Sequence, residues 1–297
     1  MGARTEKHGE SPNGLGQLYV VATPIGNLED ISSRALDLLS RADVIAAEDT
    51  RVTARLLEHH RVQGKLVAVH EHNERRSADW IVEQLAHGRN VALVADAGTP
   101  AVSDPGATVV ARARAAGFKV VPIPGPNAAV TALSAAGIAD GPFLFAGFLP
   151  AKPAARRKAL EALIALPYAL VFYEAPHRIV ECVEDMNAVL GPERILVIAR
   201  ELTKLFEQIH RCRLGDAALW LRADTDRQRG EFVLIAEGLA VPKEGAKADW
   251  ERVLTTLLAE LPLAQAVKLA CKVTGAKKNA VYARALQLAR GKNTSRS

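Results

Sequence analysis

Six segments of this 297-residue sequence gather residue types that do chemistry, each at the end of an apolar run. They are Thr23-Pro24-Ile25-Gly26-Asn27-Leu28-Glu29-Asp30, Glu48-Asp49-Thr50-Arg51, the long Asp96 to Gly106 stretch, Ile123-Pro124-Gly125-Pro126-Asn127-Ala128, Tyr173-Glu174-Ala175-Pro176-His177-Arg178 and Arg200-Glu201-Leu202-Thr203-Lys204. Pro/Gly turns let bare backbone approach a ligand closely. Glu48, Asp49, Glu174 and His177 are the types that move protons, and Arg51, Arg178 and Lys204 the types that hold a phosphate or an oxyanion. Each segment also has a plain structural reading. Asp49 or Thr50 would cap a helix, Pro124-Gly125-Pro126 would make a rigid hinge, and the last two segments would be salt-bridged surface turns.

Several chemistries lack their residues. His59-His60 and His70-Glu71-His72 are close in sequence but have no third ligand cluster and no H-E-x-x-H spacing, so no metal is expected. Neither a G-x-S-x-G elbow nor a Walker G-x-x-x-x-G-K-[ST] occurs, and the single glycine of the first segment is not a dinucleotide fingerprint. Cys182, Cys212 and Cys271 are odd in number and widely spaced, which fits a reducing cytoplasm better than a disulfide framework. Residues 1–16 read as a disordered tail rather than a secretory leader. Val120 to Ala139 is uncharged over the length of a membrane span, but Pro122, Pro124 and Pro126 would break a helix there, so no membrane is expected.

The elements that must position these segments follow a β-α rhythm. Leu18 to Thr23, Asp43 to Glu48, Leu66 to His70, Asn90 to Ala95 and Lys119 to Pro124 read as strands apolar on successive residues, hence a mainly parallel sheet buried on both faces. Asp104-Pro105 suits a helix start, and Gly117 the left-handed residue after a helix end. Longer strands follow at Phe143 to Leu149, Tyr168 to Tyr173, Arg194 to Leu202 and Glu231 to Glu237, with helices between them near Ala154 to Leu166, His177 to Leu190 and Gly215 to Arg222. This divides the chain into an α/β domain over 17–125, a second over 126–240, a linker near Val241 to Ala248, and a helical appendage over 248–297. Asp249 to Glu260, Pro262 to Val273 and Lys277 to Arg290 are its helices, and the last pair has the pattern of a helix-turn-helix.

Charge is divided unevenly. The net charge is +5, yet Lys247 to Ser297 holds ten Lys/Arg against three acids, a +7 segment on a body of 28 Lys/Arg and 30 Asp/Glu. Such a segment suits either an anionic partner or a solvated helix face.

As an ordered set, Val21 to Asp30, Ala47 to Arg51, Ala95 to Pro100, Ile123 to Pro126 and Tyr173 to Arg178 closely resemble the 16S rRNA cytidine-2′-O-methyltransferase family of the tetrapyrrole methylase superfamily. The resemblance covers about Leu18 to Arg290. It implies two α/β domains with a methyl-donor cleft between them and a small C-terminal helical appendage. It also implies S-adenosylmethionine as cofactor, a decoding-region cytidine of 16S rRNA in the small ribosomal subunit as acceptor, and a homodimer.

Carried onto this sequence, the family's donor contacts fall on Pro24, Ile25 and Gly26, on Asp96, Gly98 and Thr99, and on Pro124, Gly125, Asn127 and Ala128. Phe172, Tyr173, Ala199, Glu231 and Phe232 would complete the pocket. The catalytic candidates are then Glu48, Asp49, Arg51, Glu174 and His177, and the RNA-binding candidates Arg178, Lys204, Lys272, Lys277, Lys278, Arg284 and Arg290. One departure is plain: the wider superfamily opens on G-x-G-x-G-D, and this chain has Thr-Pro-Ile-Gly-Asn-Leu-Glu-Asp in its place. Two rival functions stand beside this one, a small-molecule methyltransferase of the tetrapyrrole type and a non-enzymatic RNA-binding or ribosome assembly protein.

Overall fold

The computed structural model describes residues 14–70, 74–138, 141–239 and 245–293. The chain divides at Gly238/Leu239 into two compact units.

The first unit contains two five-stranded sheets. Strands β1 (Leu18–Val21), β2 (Val44–Ala47), β3 (Leu66–Ala68), β4 (Val91–Val94) and β5 (Val120–Ile123) form the first, in the order β3-β2-β4-β1-β5, parallel at every pairing. β2 and β4 are buried along their whole length, because helices cover both faces. α1 (Ser33–Arg41) and α2 (Thr50–His59) supply Leu38, Leu39, Leu56 and Leu57 to one face. α3 (Glu74–Ala86) and α4 (Ala107–Ala115) supply Ala78, Ile81, Leu85 and Val109 to the other. At about 2 kcal/mol for each large side chain fully removed from water, these layers are a main source of the unit's stability.

α5 (Ala128–Ala135) leads into the second sheet, whose strands are β6 (Phe143–Phe148), β7 (Ala169–Glu174), β8 (Ile195–Arg200), β9 (Gln208–Arg213) and β10 (Phe232–Ala236). Their order is β6-β7-β10-β8-β9, with only β6 and β7 parallel. One face carries α6 (Pro153–Glu161), α7 (Ile179–Leu190) and α8 (Leu214–Arg222) over a core that includes Leu160, Met186, Leu221 and Phe172. The opposite face packs Val171, Val197 and Val233 against Ala129 and Ala132 of α5 and against Ile25 of the first half. The expected division near residue 125 therefore falls inside one compact unit, whose two sheets share this cluster.

The second unit has α9 (Gly245–Glu260), α10 (Leu263–Thr274) and α11 (Lys278–Asn293), built around Trp250, Leu254, Val267, Ala270, Val281 and Ala285. Gly275, left-handed at φ 70°, makes the turn between α10 and α11. Among the described residues no helix is long and apolar enough to cross a membrane.

The structure differs from the sequence expectations in four places. Residues 1–13 of the expected tail lie outside the described residues. Gly16, however, is docked, with its N–H bonded to the Leu85 carbonyl at 2.9 Å and no room for a Cβ beside Arg89. Residues 240–244 of the expected linker are likewise outside, and 245–248 belong to α9. Asp104-Pro105 does not start a helix. α4 begins at Ala107, and Glu74 at the start of α3 accepts from Gly106 N at 2.8 Å and Thr108 N at 3.0 Å, supplying its cap from across the fold. Strand β9 was not anticipated, since Gln208-Ile-His-Arg-Cys-Arg is an edge strand of mixed polarity.

A buried ion pair ties α6 to α7. The Arg156 side chain, 1% exposed, donates through Nε to Asp185 at 2.6 Å, and Arg157 Nε reaches the second carboxylate oxygen, also at 2.6 Å. Removing one partner leaves a buried charge without compensation. Asp185→Ala is expected to cost about 3–5 kcal/mol, read as a lowered urea midpoint.

Candidate active site

β1 and β4 are neighbours whose crossovers leave toward opposite edges, β1 toward β2 and β4 toward β5. The carboxyl ends of such a pair are where an open parallel sheet binds ligands. Here the two loops are joined: Thr23 N donates to the Gly98 carbonyl at 2.9 Å and Gly98 N to the Thr23 carbonyl at 3.0 Å. Thr23 is buried, and its Oγ1 donates to the Ala95 carbonyl at 3.0 Å. Gly98 holds φ 80°, a conformation glycine adopts without strain. The third loop docks on the same wall through Thr99 Oγ1 to the Pro126 carbonyl at 3.2 Å, and Gly125 lies where a Cβ would come 2.9 Å from Ala22 Cβ.

These loops and the carboxyl end of β7 enclose a cavity of about 310 Å³. Ile25, Gly98, Thr99, Asn127 and Ala128 border it from the first half, and Tyr173, Glu174, Glu231 and Phe232 from the second. All nine were expected at the site. Two carboxylates, Asp104 and Glu231, border the cavity, while that of Glu174 turns to the helix-covered side toward Arg178 and Cys182; among the described residues no Lys, Arg or His lines it. The rings of Phe148 and Tyr173, 5.6 Å apart, add polarisable faces. A site of this make-up favours a cation over a phosphate.

Other expected residues stand near the cavity without bordering it. Pro24, Gly26, Pro124 and Gly125 shape the loops from behind, and Asp96 accepts from Asp49 N at 2.8 Å, joining the ends of β4 and β2. Phe172 and Ala199 are corrections. Strand side chains alternate faces, so Phe172, one residue from Tyr173, points into the helix-covered core, and Ala199, beside Val233 on the neighbouring strand, is fully buried without bordering the cavity.

The catalytic candidates divide similarly. Asp49 caps α2, accepting from Arg51 N at 2.8 Å and from Arg51 Nε at 3.0 Å; these bonds hold its carboxyl to about 2, too low for a base. Arg51 is consequently a surface partner of Asp49, and His177 is exposed on the short helical turn Pro176–Arg178, outside the lining. Glu48 is half-buried behind the lining, its pKa raised by burial and then by Asp96. Glu174 does border the cavity, 2% exposed. Its Oε1 accepts from Arg178 Nε at 2.9 Å and Nη2 at 2.6 Å and from Ala175 N at 2.8 Å, while its buried Oε2 has no partner.

Of the expected RNA contacts, Arg178 is committed to Glu174. Lys204 is bonded to Glu201 and Glu231, each at 2.8 Å; partial burial works against its charge, but those carboxylates raise its pKa on balance. Arg284 pairs with Glu251 at 3.2 Å. Lys272, Lys277 and Lys278 are exposed on the terminal unit, and the Arg290 side chain lies outside the described residues. Among the described residues no group of three His, Cys, Asp or Glu is placed to hold a metal.

Nine lining residues were missed, and Leu202, Phe148 and Asp104 are the instructive ones. Leu202 leaves β8 just beyond its end. Phe148 should face away from Phe145 by alternation, yet both contact Tyr173, because the β6–β7 register shifts between Phe145 and Gly147 and Gly147 adopts φ 66°. The glycine within a strand was the available signal. Asp104 was read as a helix start. Its carboxyl is pushed up to about 6, first by burial, then by Glu48 and Asp96.

The family described as "Tetrapyrrole (Corrin/Porphyrin) Methylases" matches residues 17–218, and that described as "RsmI C-terminal HTH domain" matches 244–289. Among solved structures, uroporphyrin-III C-methyltransferase from Thermus thermophilus complexed with S-adenyl homocysteine has a TM-score of 0.53 at 20% identity, covering 75% of this chain and 97% of that one. Diphthine synthase has a TM-score of 0.57 at 16% identity, covering 75% of this chain and 90% of that one. The fold is thus that of the tetrapyrrole methylases. Ribosomal RNA small subunit methyltransferase I of Escherichia coli O157:H7 is 50% identical over 282 residues, 95% of this chain and 99% of that protein. The Pseudomonas aeruginosa protein of the same name is 50% identical over 274 residues, 92% of this chain and 97% of its own. The chain belongs to the ribosomal RNA small subunit methyltransferase I family, and is a methyltransferase.

Two outcomes follow from the geometry. Gly98→Ala places a Cβ on a left-handed residue and should lower stability by about 1 kcal/mol in chemical denaturation. Asp104 has a folded pKa near 6 against about 3.9 unfolded, so the native state gains from its protonation below pH 4 and loses that gain as pH rises through 6. Asp104→Asn should therefore be more stable than the parent chain at pH 8, and the advantage should vanish below about pH 4 in thermal scans.

Proposed function

We propose that this protein transfers a methyl group from S-adenosylmethionine to the 2′-hydroxyl of a cytidine in the decoding region of 16S rRNA. The observation that carries the donor half is the lining, with the carboxylates of Asp104 and Glu231 and no basic side chain. A sulfonium and an ammonium group on one ligand suit that charge, and the adenine suits the apolar remainder of the wall. Ile25, Gly98, Thr99, Asn127, Ala128, Tyr173, Glu231 and Phe232 are the residues assigned to hold it. When bound, it supplies an electrophilic methyl carbon.

The chain's own work is then positioning. The clamped loops fix the donor side, Ile25, Leu202 and Val233 keep water out, and the acceptor oxygen needs only an in-line approach to gain most of its rate. The acceptor half rests on family membership and on the terminal unit. There Lys268, Lys272, Lys277 and Lys278 are exposed and form no ion pair among the described residues. Such lysines hold phosphates and orient RNA without reading bases. We assign the reaction to the cytoplasm, with the small ribosomal subunit as partner and a homodimer as the working form.

Calorimetric titration of S-adenosylmethionine into the protein, followed by mass mapping of 30S subunits lacking the modification, tests this reading. Donor binding with one new ribose methyl on 16S rRNA is the expected result. No donor binding with or without RNA would refute it. Replacing Lys272, Lys277 and Lys278 by Ala should leave donor affinity in place and reduce the slope of log K against log salt by about 2–3 for RNA.

A further inference from the structure

Asp104 is the half-buried carboxylate of the lining that carries no tie. Glu174 is pinned by Arg178, and Glu231 is bonded to Lys204. Asp104 forms no hydrogen bond or ion pair with any described residue. Its setting is built from three directions. Glu48 from the end of β2 and Asp96 from the end of β4 place negative charge behind it, and Tyr173 of β7 lies close enough to feel its charge. Beside it Gly147 brings β6 against Ser103, where a Cβ would meet Oγ at 3.1 Å.

The backbone around Asp104 is strained. Ala101 holds φ 66° and Ser103 φ 65°, both left-handed without being glycine, and the loop closes on itself through Ala101 N to the Pro105 carbonyl at 3.3 Å. Glu74 fixes its far end at Gly106 and Thr108. Strain of this kind costs about 1–3 kcal/mol per residue and persists only where the surroundings impose it.

Resting on the proposed RNA 2′-O-methylation, we infer that Asp104 is the proton acceptor for the ribose hydroxyl. The 2′ O–H bond breaks and its proton goes to an Asp104 carboxylate oxygen. The freed electron pair forms the new O–CH3 bond, and the pair of the broken C–S bond stays on sulfur. Asp104 then passes the proton to water before the next turnover. A pKa near 6 leaves the group ionised above pH 7 yet more basic than an ordinary carboxylate, the compromise that general-base catalysis favours. Asp49 is too acidic for this, and His177 and Glu48 do not border the cavity. Glu48 acts as a positioning residue through its charge.

The test uses the full chain with undermethylated 30S subunits in single turnover across pH 5–9, with calorimetry of S-adenosylhomocysteine on each variant. Asp104→Asn is expected to slow methyl transfer by about 10²–10⁴-fold while product affinity stays within threefold. Glu48→Gln removes a neighbouring negative charge, so Asp104 ionises more readily and the acidic limb of the rate profile should move to lower pH. If Asp104→Asn keeps the parent rate within fivefold, the inference falls while the methyltransferase reading stands. If it does not bind the product, the Glu48→Gln profile decides, and an unmoved acidic limb overturns the inference. If the parent chain itself binds donor but methylates no rRNA, the reading on which the inference rests is what has failed.

Discussion

The exchange of backbone hydrogen bonds between Thr23 and Gly98 is the constraint from which the rest of the site follows. Parallel strands β1 and β4 end side by side, and nothing in the sheet ladder prevents the loops beyond them from diverging. Two bonds of 2.9 and 3.0 Å extend the pairing past the sheet edge with reversed chain direction, which a left-handed Gly98 permits. Because Thr23 is buried and also holds Ala95, the clamp is desolvated and resists fraying. The Pro-Gly-Pro loop then has a fixed surface to dock on, through Thr99 and Ala22. Three loops that would be mobile singly become one wall. Preorganisation of that kind is what lets fixed dipoles act on a ligand without reorganising at the moment of reaction.

The facing wall is made rigid by a different device. In the second sheet the two sides of each strand serve separate tasks: Phe172 and Leu234 fill the helix-covered core while Tyr173 and Val233 face the first half. Tyr173 is held by Ala129 N, which donates to its hydroxyl at 3.2 Å, and by Phe145 and Phe148 on its ring. Behind Glu174 lie Arg178 and the buried thiol of Cys182, whose pKa is raised by burial and further by the Glu174 charge. Glu174 thus turns its carboxylate to the core side, where Arg178 and Cys182 surround it.

Much of this was legible in the sequence, and the limits have physical causes. Nine strands and the loops at their ends stood out because buried parallel strands are continuously apolar and Pro/Gly clusters interrupt them. Strand β9 did not, since its alternation runs against polarity: Ile209 is exposed, while His210 turns inward and stacks on Trp220 at 4.0 Å. Phe172 and Tyr173 were both assigned to the pocket, although neighbours in a period-two element face opposite ways and only Tyr173 borders the cavity. Phe148 was hidden by a bulge, which reverses alternation without changing composition. Asp104 was read as a helix start and caps nothing, whereas Asp49, named both as a cap and as a catalytic candidate, caps α2. Both precede helices, but Glu74 caps α4 from a distant element, freeing Asp104, whereas nothing relieves Asp49 of capping α2. A long-range cap is invisible to local pattern.

The division of charge along the chain gains a physical meaning in the proposed reaction. A donor that is cationic and an RNA that is polyanionic cannot be held by the same electrostatics. The cavity, with its carboxylates and no basic side chain, repels phosphate as firmly as it attracts a sulfonium. An acceptor nucleoside can therefore enter only with its phosphates left outside, as it does when a nucleotide is turned out of its stack. Outside, something must offset that repulsion, and the body carries 28 Lys/Arg against 30 Asp/Glu, which offers little. The remaining ten basic residues are concentrated after Lys247, where the compact helical unit keeps Lys272, Lys277 and Lys278 exposed. Separating the two electrostatic tasks allows each to be strong. A basic cavity would lose the donor, and an acidic chain without the terminal unit would lose the RNA.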